Sequence, residues 1–448
     1  MERTTSGWCC VGTSSGFTIV SSGAKGGSTG RWLHCGALLT GHGDAPARDM
    51  AVQIADGPIV QVRPWANGRG VGVDVVDLSS ATLVPGFVDA HVHLIFGNGK
   101  DHLSTRAAVE NATRDELVEQ AASRALECLR GGVTTVRDCG DREFVSLRVR
   151  DDIAAGRRRG ARVLAAGPPI TVPGGHLSWC GGAVASLTEM RTAVMGLLAN
   201  KVDLVKVMAS GGNMTRESSP WAPQFGEAEL RELVALAHTQ GLRVAAHAHS
   251  TEAIRHVVSA GVDTIEHCTW RSADGRLSVD ARVVEQIVRR GPFVVLTMAG
   301  IQRGLLPNCA PDSALRKAAL ISSDTGDLRE DFAWARSMRA AGARLVVASD
   351  AGVRLTSFDG LSQSIRCGMV ALGLAVSEAI SLVTLRAAEA PGVEDSVGSI
   401  EEGKVADFVV LDGVVDASSD SLGSVRQVWQ AGRLVVNDGQ LVKSDDWL

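Results

Sequence analysis

The sequence contains no tyrosine among its 448 residues, and aromatic residues of all kinds make up only 4%. No phenolic hydroxyl is therefore available for catalysis or ligand contact. No uninterrupted apolar stretch approaches the roughly 20 residues needed to span a bilayer, which argues against a membrane protein. The first residues lack a basic start followed by a clean apolar core, so no secretory signal is expected. The nine cysteines show no CxxC spacing, and their only close pair is the adjacent Cys9-Cys10. An odd count without paired spacing points to reduced thiols in a cytoplasmic protein. A net charge of −5 with both signs interspersed excludes a general electrostatic grip on nucleic acid or anionic lipid.

What is present is a globular composition, 45% hydrophobic and 21% charged, which allows a packed core. Residues 1–30 are rich in Ser, Thr and Gly and read as a flexible N-terminal extension. Residues 31–82 carry short strands with turn signals. The segment "AVQIADGPIVQVRP" alternates around Asp56-Gly57 as a β-hairpin would. Residues 393–448 look similar, with "GSIEEGKVADFVVLDG" and "VRQVWQAGRLVVNDGQ". The two ends are expected to join into one small β domain.

Between them, over 83–392, strands alternate with helices. Candidate strands are Val84–His93, Thr134–Asp138, Arg162–Ala166, Leu204–Ala209, Arg243–His247, Thr264–His267, Phe293–Met298 and Arg344–Ser349. The helical stretch "EAELRELVALAHTQG" places Leu230, Leu233, Val234 and Ala237 on one face and stops at Gly241. "TEAIRHVVSAG" repeats the scheme with Ile254, Val257, Val258 and Gly261. Eight such units suggest an α/β protein with a (β/α)8 barrel. A doubly wound open sheet is the alternative, weakened because no GxGxxG opens a helix after the first strand.

In a barrel the chemistry sits at the C-terminal ends of the strands. There stand His91 and His93, Lys206, His247 and His249, His267, and Asp350. His91 and His93 share a face, because side chains two apart on a strand point the same way. A divalent ion satisfies two adjacent imidazoles by taking one nitrogen from each. HxH alone is an ambiguous signal; joined by His247, His267 and Asp350 it reads as a metal site. Lys206 is odd in the apolar strand "LVKVMA". An ammonium there, beside a metal, is disfavoured by desolvation and by like charge. It must shed its charge, be modified, or face elsewhere.

The motifs "VPGFVDAHVHL", "DLVKVMASGGNMT", "SSPWAPQF", "VAAHAHSTEAIRHVVSAGVDTIEHCTW", "ASDAG" and "VGSIEEGKVADFVVLDG" together resemble the metal-dependent amidohydrolase superfamily. The similarity is to its imidazolonepropionase-like and Xaa-Pro dipeptidase-like branch, and it runs from about residue 32 to the C-terminus. The resemblance implies a distorted (β/α)8 barrel with a small β-sandwich domain formed by both chain ends. It implies two divalent ions. His91 and His93 would hold the more buried one with Asp350, and His247 and His267 the second. Lys206 would be N-carboxylated and its carbamate would bridge the pair. That would turn a repelling cation into an anionic oxygen ligand. His249 reads either as a ligand or as a neighbour of His247, and the family position favours His247.

The resemblance also implies C–N bond hydrolysis of a small molecule, an amide, lactam or dipeptide, by a metal-bridging hydroxide with Asp350 as proton shuttle. His176, in the Gly-rich stretch "PPITVPGGHLSW", is a candidate for polarising the scissile group. Asn213, Arg216 and Trp221 follow strand four and are candidate substrate contacts. Some dipeptidase relatives place a carboxylate-binding tyrosine eight residues after the strand-five histidine. Arg255 occupies that spacing here, and reads either as a bidentate carboxylate ligand or as a solvated helix residue. Zinc is the default ion for mixed imidazole and carboxylate ligands. A homo-oligomer is expected, since relatives are often dimers or larger. A heterocycle deaminase is the enzymatic alternative, disfavoured by the bridging lysine. A non-catalytic barrel acting as a scaffold is the other, disfavoured by the intact ligand set.

Overall fold

The computed structural model describes residues 10–13, 16–19, 30–65, 74–298, 300–415, 422 and 424–443. The extension expected over residues 1–30 falls mostly outside these. Within it, Cys10–Thr13 and Gly16–Ile19 pair antiparallel. Among the described residues no helix is long and apolar enough to cross a membrane.

Strands from both ends of the chain share one eight-stranded sheet. Its order is Gln440–Leu441, Arg433–Asn437, Val425–Gln430, Phe408–Asp412, Val75–Pro85, Arg31–Leu38, Ala47–Ile54 and Ile59–Pro64. The ends meet where Phe408–Asp412 pairs antiparallel with the segment 81–85. Ala47–Ile54 and Ile59–Pro64 form the hairpin around Asp56 and Gly57, whose φ values of 53° and 104° are left-handed, as a tight turn between twisted strands requires. Leu33, Val52 and Leu83 from one end pack with Phe408, Val410 and Trp429 from the other in a single apolar cluster.

The remaining long strands are parallel and lie in two sheets. The first contains β1 (Phe87–Val92), β2 (Val133–Asp138) and β3 (Arg162–Ala165). The second contains β4 (Leu204–Met208), β5 (Arg243–Ser250), β6 (Thr264–Arg271), β7 (Phe293–Thr297) and β8 (Arg344–Ala348). The ladder does not run unbroken from one sheet to the other. Between β3 and β4 the chain passes through Pro168 and Pro169, which lack N–H donors. There the link is a single bridge, Ile170 to Val207, with Ile170 N–H donating to Lys206 C=O at 2.8 Å. Between β8 and β1 the link is a bridge from Val92 to Ala351. Asp350 N–H donates to His91 C=O at 3.0 Å and His93 N–H to Ala351 C=O at 2.8 Å, which sets Asp350 against the two histidines. Buried Asp89 reinforces this seam by accepting from Ser349 N–H at 3.0 Å and from the Ser349 hydroxyl.

Helices separate most of the parallel strands and bury the faces that periodicity marked. Glu227–Thr239 buries Leu230, Leu233, Val234 and Ala237. Thr251–Ala260 is capped by the Ser250 hydroxyl, buries Ile254, Val257 and Val258, and ends at Gly261 with φ 88°.

The run from Leu83 to Leu94 reads as one strand from Val84 to His93, but it is two. Val75–Pro85 belongs to the eight-stranded sheet and β1 to the parallel one. Gly86 makes the crossing where the sheets touch. A Cβ there would lie 2.3 Å from Thr134 Oγ1 and 2.9 Å from Asp407 Cβ. Gly86→Ala is accordingly expected to destabilise the fold by about 1–3 kcal/mol through overpacking. A lower thermal midpoint with unchanged metal content would show it.

Candidate metal centre and its cavity

The strand ends place five histidines in contact. Ring centroids lie 5.4 Å apart for His91 and His93, 5.0 Å for His91 and His267, and 4.6 Å for His247 and His267. His249 stacks on His267 at 4.7 Å. His91 Nε2 is 3.7 Å and His93 Nε2 3.9 Å from Asp350 Oδ1, and His267 Nδ1 is 4.0 Å from Asp350 Oδ2. Among the described residues three groups have ligand atoms within 4.8 Å of one another: His91, His267 and Asp350; His247, His249 and His267; and, behind His91, His91 with Cys139 and Glu266.

Local backbone aims these groups. His267 has φ 67° and Asp350 φ 58°, a left-handed conformation that costs a non-glycine residue free energy and that the surrounding sheet holds in place. The β5–β6 pairing also shifts register between Ala248 and Ser250. These departures end strict alternation and let consecutive residues serve the same centre.

Three tautomers follow from fixed acceptors. His93 Nδ1–H donates to Gly140 C=O at 3.0 Å. His247 Nε2–H donates to Gly211 C=O at 2.9 Å. His91 Nδ1–H donates to Glu266 Oε2 at 2.6 Å. Each ring thereby keeps its other nitrogen as a bare acceptor, the form that binds a metal. Burial, reinforced by the positive field of Lys206, pushes His93 down to about 3. Burial likewise holds His91, His247 and His267 well below the ordinary imidazole range, so all four are neutral at pH 7. Burial raises Asp350 to about 7, against the opposing pull of Lys206.

Lys206 on β4 is 1% exposed, and its Nζ has no hydrogen-bond partner. Asp350 Oδ1 is likewise buried without one. Both face a cavity of about 550 Å³ together with His93, His176, His247, His249 and His267. Buried imidazoles with bare nitrogens, grouped with a carboxylate oxygen and an amine that have no hydrogen-bond partner, fit a metal centre by their donor chemistry.

His176 reaches this centre from the loop after β3. Its ring lies 4.6 Å from that of His247, and its Nδ1 has no partner. Gly212 permits the approach, because a Cβ there would sit 2.6 Å from the His176 ring. Asn213 and Trp221 also line the cavity, with Trp221 edge-on to His249 at 6.2 Å. Arg216 and Arg255 do not line it. Arg255 lies on the exposed side of Thr251–Ala260, opposite the buried Ala253 and Val257, and pairs with Glu252 at 3.4 Å. The carboxylate-binding alternative for Arg255 therefore gives way to the solvated one.

Two functional candidates escaped the sequence reading. Glu266, fully buried, joins His91 to Arg137, whose Nη2 donates to Glu266 Oε1 at 2.7 Å. Their signal was available, a Glu in "DTIEHC" and an Arg in "TTVRDCG", both inside apolar strands.

Residues 82–442 match the model of the amidohydrolase family. An imidazolonepropionase from Pseudomonas putida is 26% identical over 411 residues, covering 84% of this chain and 91% of its own. An imidazolonepropionase from Symbiobacterium thermophilum is 25% identical over 448 residues, covering 93% and 95%. Among solved structures, a Xaa-Pro dipeptidase with methionine bound in its active site superposes with a TM-score of 0.75 at 26% identity. It covers 90% of this chain and 99% of its own. With the histidine and aspartate groups able to bind metal, these likenesses identify the chain as a member of the amidohydrolase family, a metal-dependent hydrolase acting on carbon–nitrogen bonds.

Proposed function

We propose that the chain hydrolyses an amide, lactam or dipeptide-like C–N bond of a small molecule at a pair of divalent cations, with zinc the default ion. The observation that carries this reading is the convergence of neutral imidazoles on two buried, unpartnered atoms, Lys206 Nζ and Asp350 Oδ1. His91, His93 and Asp350 would hold one cation, and His247 and His267 the other, with His249 alongside. Addition of carbon dioxide to the Lys206 amine, with loss of a proton, would give a carbamate whose oxygens serve both. The two parallel sheets are then the two arcs of a distorted (β/α)8 barrel, with its mouth at this centre.

When bound, the cations supply Lewis-acid activation of water and of the scissile carbonyl. The chain's own residues do the rest. His176, beside His247, orients and polarises the carbonyl oxygen. Asp350 takes the proton of the attacking water and delivers it to the leaving nitrogen. Asn213 and Trp221 bound the space in which the substrate lies.

Chelator dialysis is expected to abolish hydrolysis of a panel of N-acyl amino acids, dipeptides and lactams, and readdition of zinc to restore it at two equivalents per chain. Full activity at one equivalent, with ammonia as the product, would favour a heterocycle deaminase. Metal-replete protein that hydrolyses nothing in the panel would favour a binding scaffold.

A further inference from the structure

The cavity wall holds a second cationic group whose partner is missing. Two arginines line the cavity, Arg271 at the end of β6 and Arg354 in the loop after β8. Arg271 is satisfied: its Nη1 donates to Asp324 Oδ2 at 2.6 Å and to Gly275 C=O at 3.2 Å. Arg354 is half-buried, and among the described residues its guanidinium has no hydrogen-bond or ion-pair partner. The carboxylates on the same wall are otherwise engaged. Asp324 holds Arg271, and Asp331 accepts from the Ser323 hydroxyl and from Thr325. Asp350 faces the histidines.

Arg354 is also held in place by its backbone. It follows Asp350 by four residues, on a turn closed by Gly352 N–H to Thr356 C=O at 3.0 Å. That turn is tied to the loop after β1 by Asn98 N–H to Gly352 C=O at 2.9 Å and Leu355 N–H to Gly99 C=O at 3.1 Å. Arg303 clamps it from the other side, through Leu355 C=O at 2.9 Å. His102, at the start of His102–Asn111, feels the Arg354 charge, which adds to burial in lowering its proton affinity. Among the described residues, Arg354 is thus the unpaired arginine of the cavity wall.

We propose that Arg354 recognises a carboxylate on the substrate, beside the scissile C–N bond, as an N-acyl amino acid or dipeptide presents it. A guanidinium fork matches a carboxylate with two parallel hydrogen bonds. Leu305, Phe332, Trp334 and Val353 line the same cavity and suit an apolar substituent on the same molecule. This assignment rests on the C–N hydrolase reading and moves anion recognition from Arg255 to Arg354.

Matched pairs test it: N-acetyl-L-methionine, N-acetyl-L-phenylalanine and N-acetyl-L-proline against their C-terminal carboxamides, with metal-loaded wild type, Arg354→Gln and Arg354→Lys. Calorimetric Kd and, where turnover occurs, kcat/KM are measured. Wild type is expected to favour the carboxylate by about 10- to 100-fold in at least one pair, the scale of a hydrogen-bonded charge pair. Arg354→Gln should shrink that ratio to within about threefold while leaving the carboxamide unchanged, with the loss in KM rather than kcat. Arg354→Lys should retain part of it, as a point charge without the fork. No carboxylate preference in wild type, a preference that survives Arg354→Gln, or no binding by any pair overturns the proposal. Selective binding without hydrolysis of any pair upholds Arg354 and counts instead against the C–N hydrolase reading.

Discussion

Lys206→Ala is expected to lower kcat/KM by about 10³-fold or more and to reduce bound metal below two ions per chain. The scale is that of removing a preorganised electrostatic stabiliser from a water-poor site. The direction follows from where Lys206 stands. It lies on β4 with 1% exposure, among imidazoles whose bare nitrogens face the same cavity, and its Nζ finds no acceptor. A buried, unpaired ammonium costs several kcal/mol, so a lysine with no chemical task there would be a liability to the fold. Replacing it with Met of similar length should leave the thermal midpoint of metal-free protein unchanged or raised. Activity and metal content should nevertheless fall.

That opposition separates a ligand from a structural residue, for which stability and activity would fall together. Lys206→Glu offers a second arm. It supplies a carboxylate oxygen directly, and part of the metal content should return. Two tightly bound ions in Lys206→Ala would remove the bridging role, and activity surviving with one ion would favour the deaminase alternative.

The groups legible in the sequence share one property: each is polar within an otherwise apolar strand, near its C-terminal end. His91, His93, Lys206, His247, His267 and Asp350 all stood out on that ground, and all converge. Glu266 carried the same signal, but strict alternation assigns it to the face opposite His267. His267 at φ 67° breaks that alternation, which no spacing rule could anticipate. The apolar run through Pro85-Gly86 hid a change of sheet, since burial on both sides of the crossing leaves no polar mark. Arg255 was considered by its distance from His247. The helix that begins at Thr251 turns it outward, and the buried Val257, two residues on, already marked the opposite face. Arg354 lies on a loop, where position depends on long-range ties such as Leu355 to Gly99 and not on local pattern.

The second large effect concerns the residue behind His91. Glu266→Ala is expected to weaken metal binding by about 10- to 100-fold, as loss of the carboxylate behind a metal-ligating histidine typically does. It is also expected to destabilise the fold by about 3–5 kcal/mol. The first effect arises because Glu266 Oε2 accepts from His91 Nδ1 at 2.6 Å, which fixes the tautomer with Nε2 bare and makes that nitrogen more basic. The second arises because Glu266 is the counter-ion of Arg137, itself 1% exposed. Arg137 further donates to Ala90 C=O at 2.6 Å and to Thr264 Oγ1 at 3.0 Å, so its guanidinium cannot swing out to water without breaking β1 and β6 contacts. Removing the carboxylate strands a buried charge. The two effects come apart in the double variant Arg137→Met, Glu266→Met, which removes both charges and fills the space with apolar atoms. Its thermal midpoint should recover most of the loss seen in Glu266→Ala, because a buried ion pair is often no better than well-packed hydrophobic residues. Its metal affinity, measured by chelator competition, should stay low, because His91 still lacks its acceptor. Recovery of both together would mean that Glu266 acts only through the fold. Recovery of stability alone would make it a positioning residue for the metal ligand, reaching the chemistry through His91.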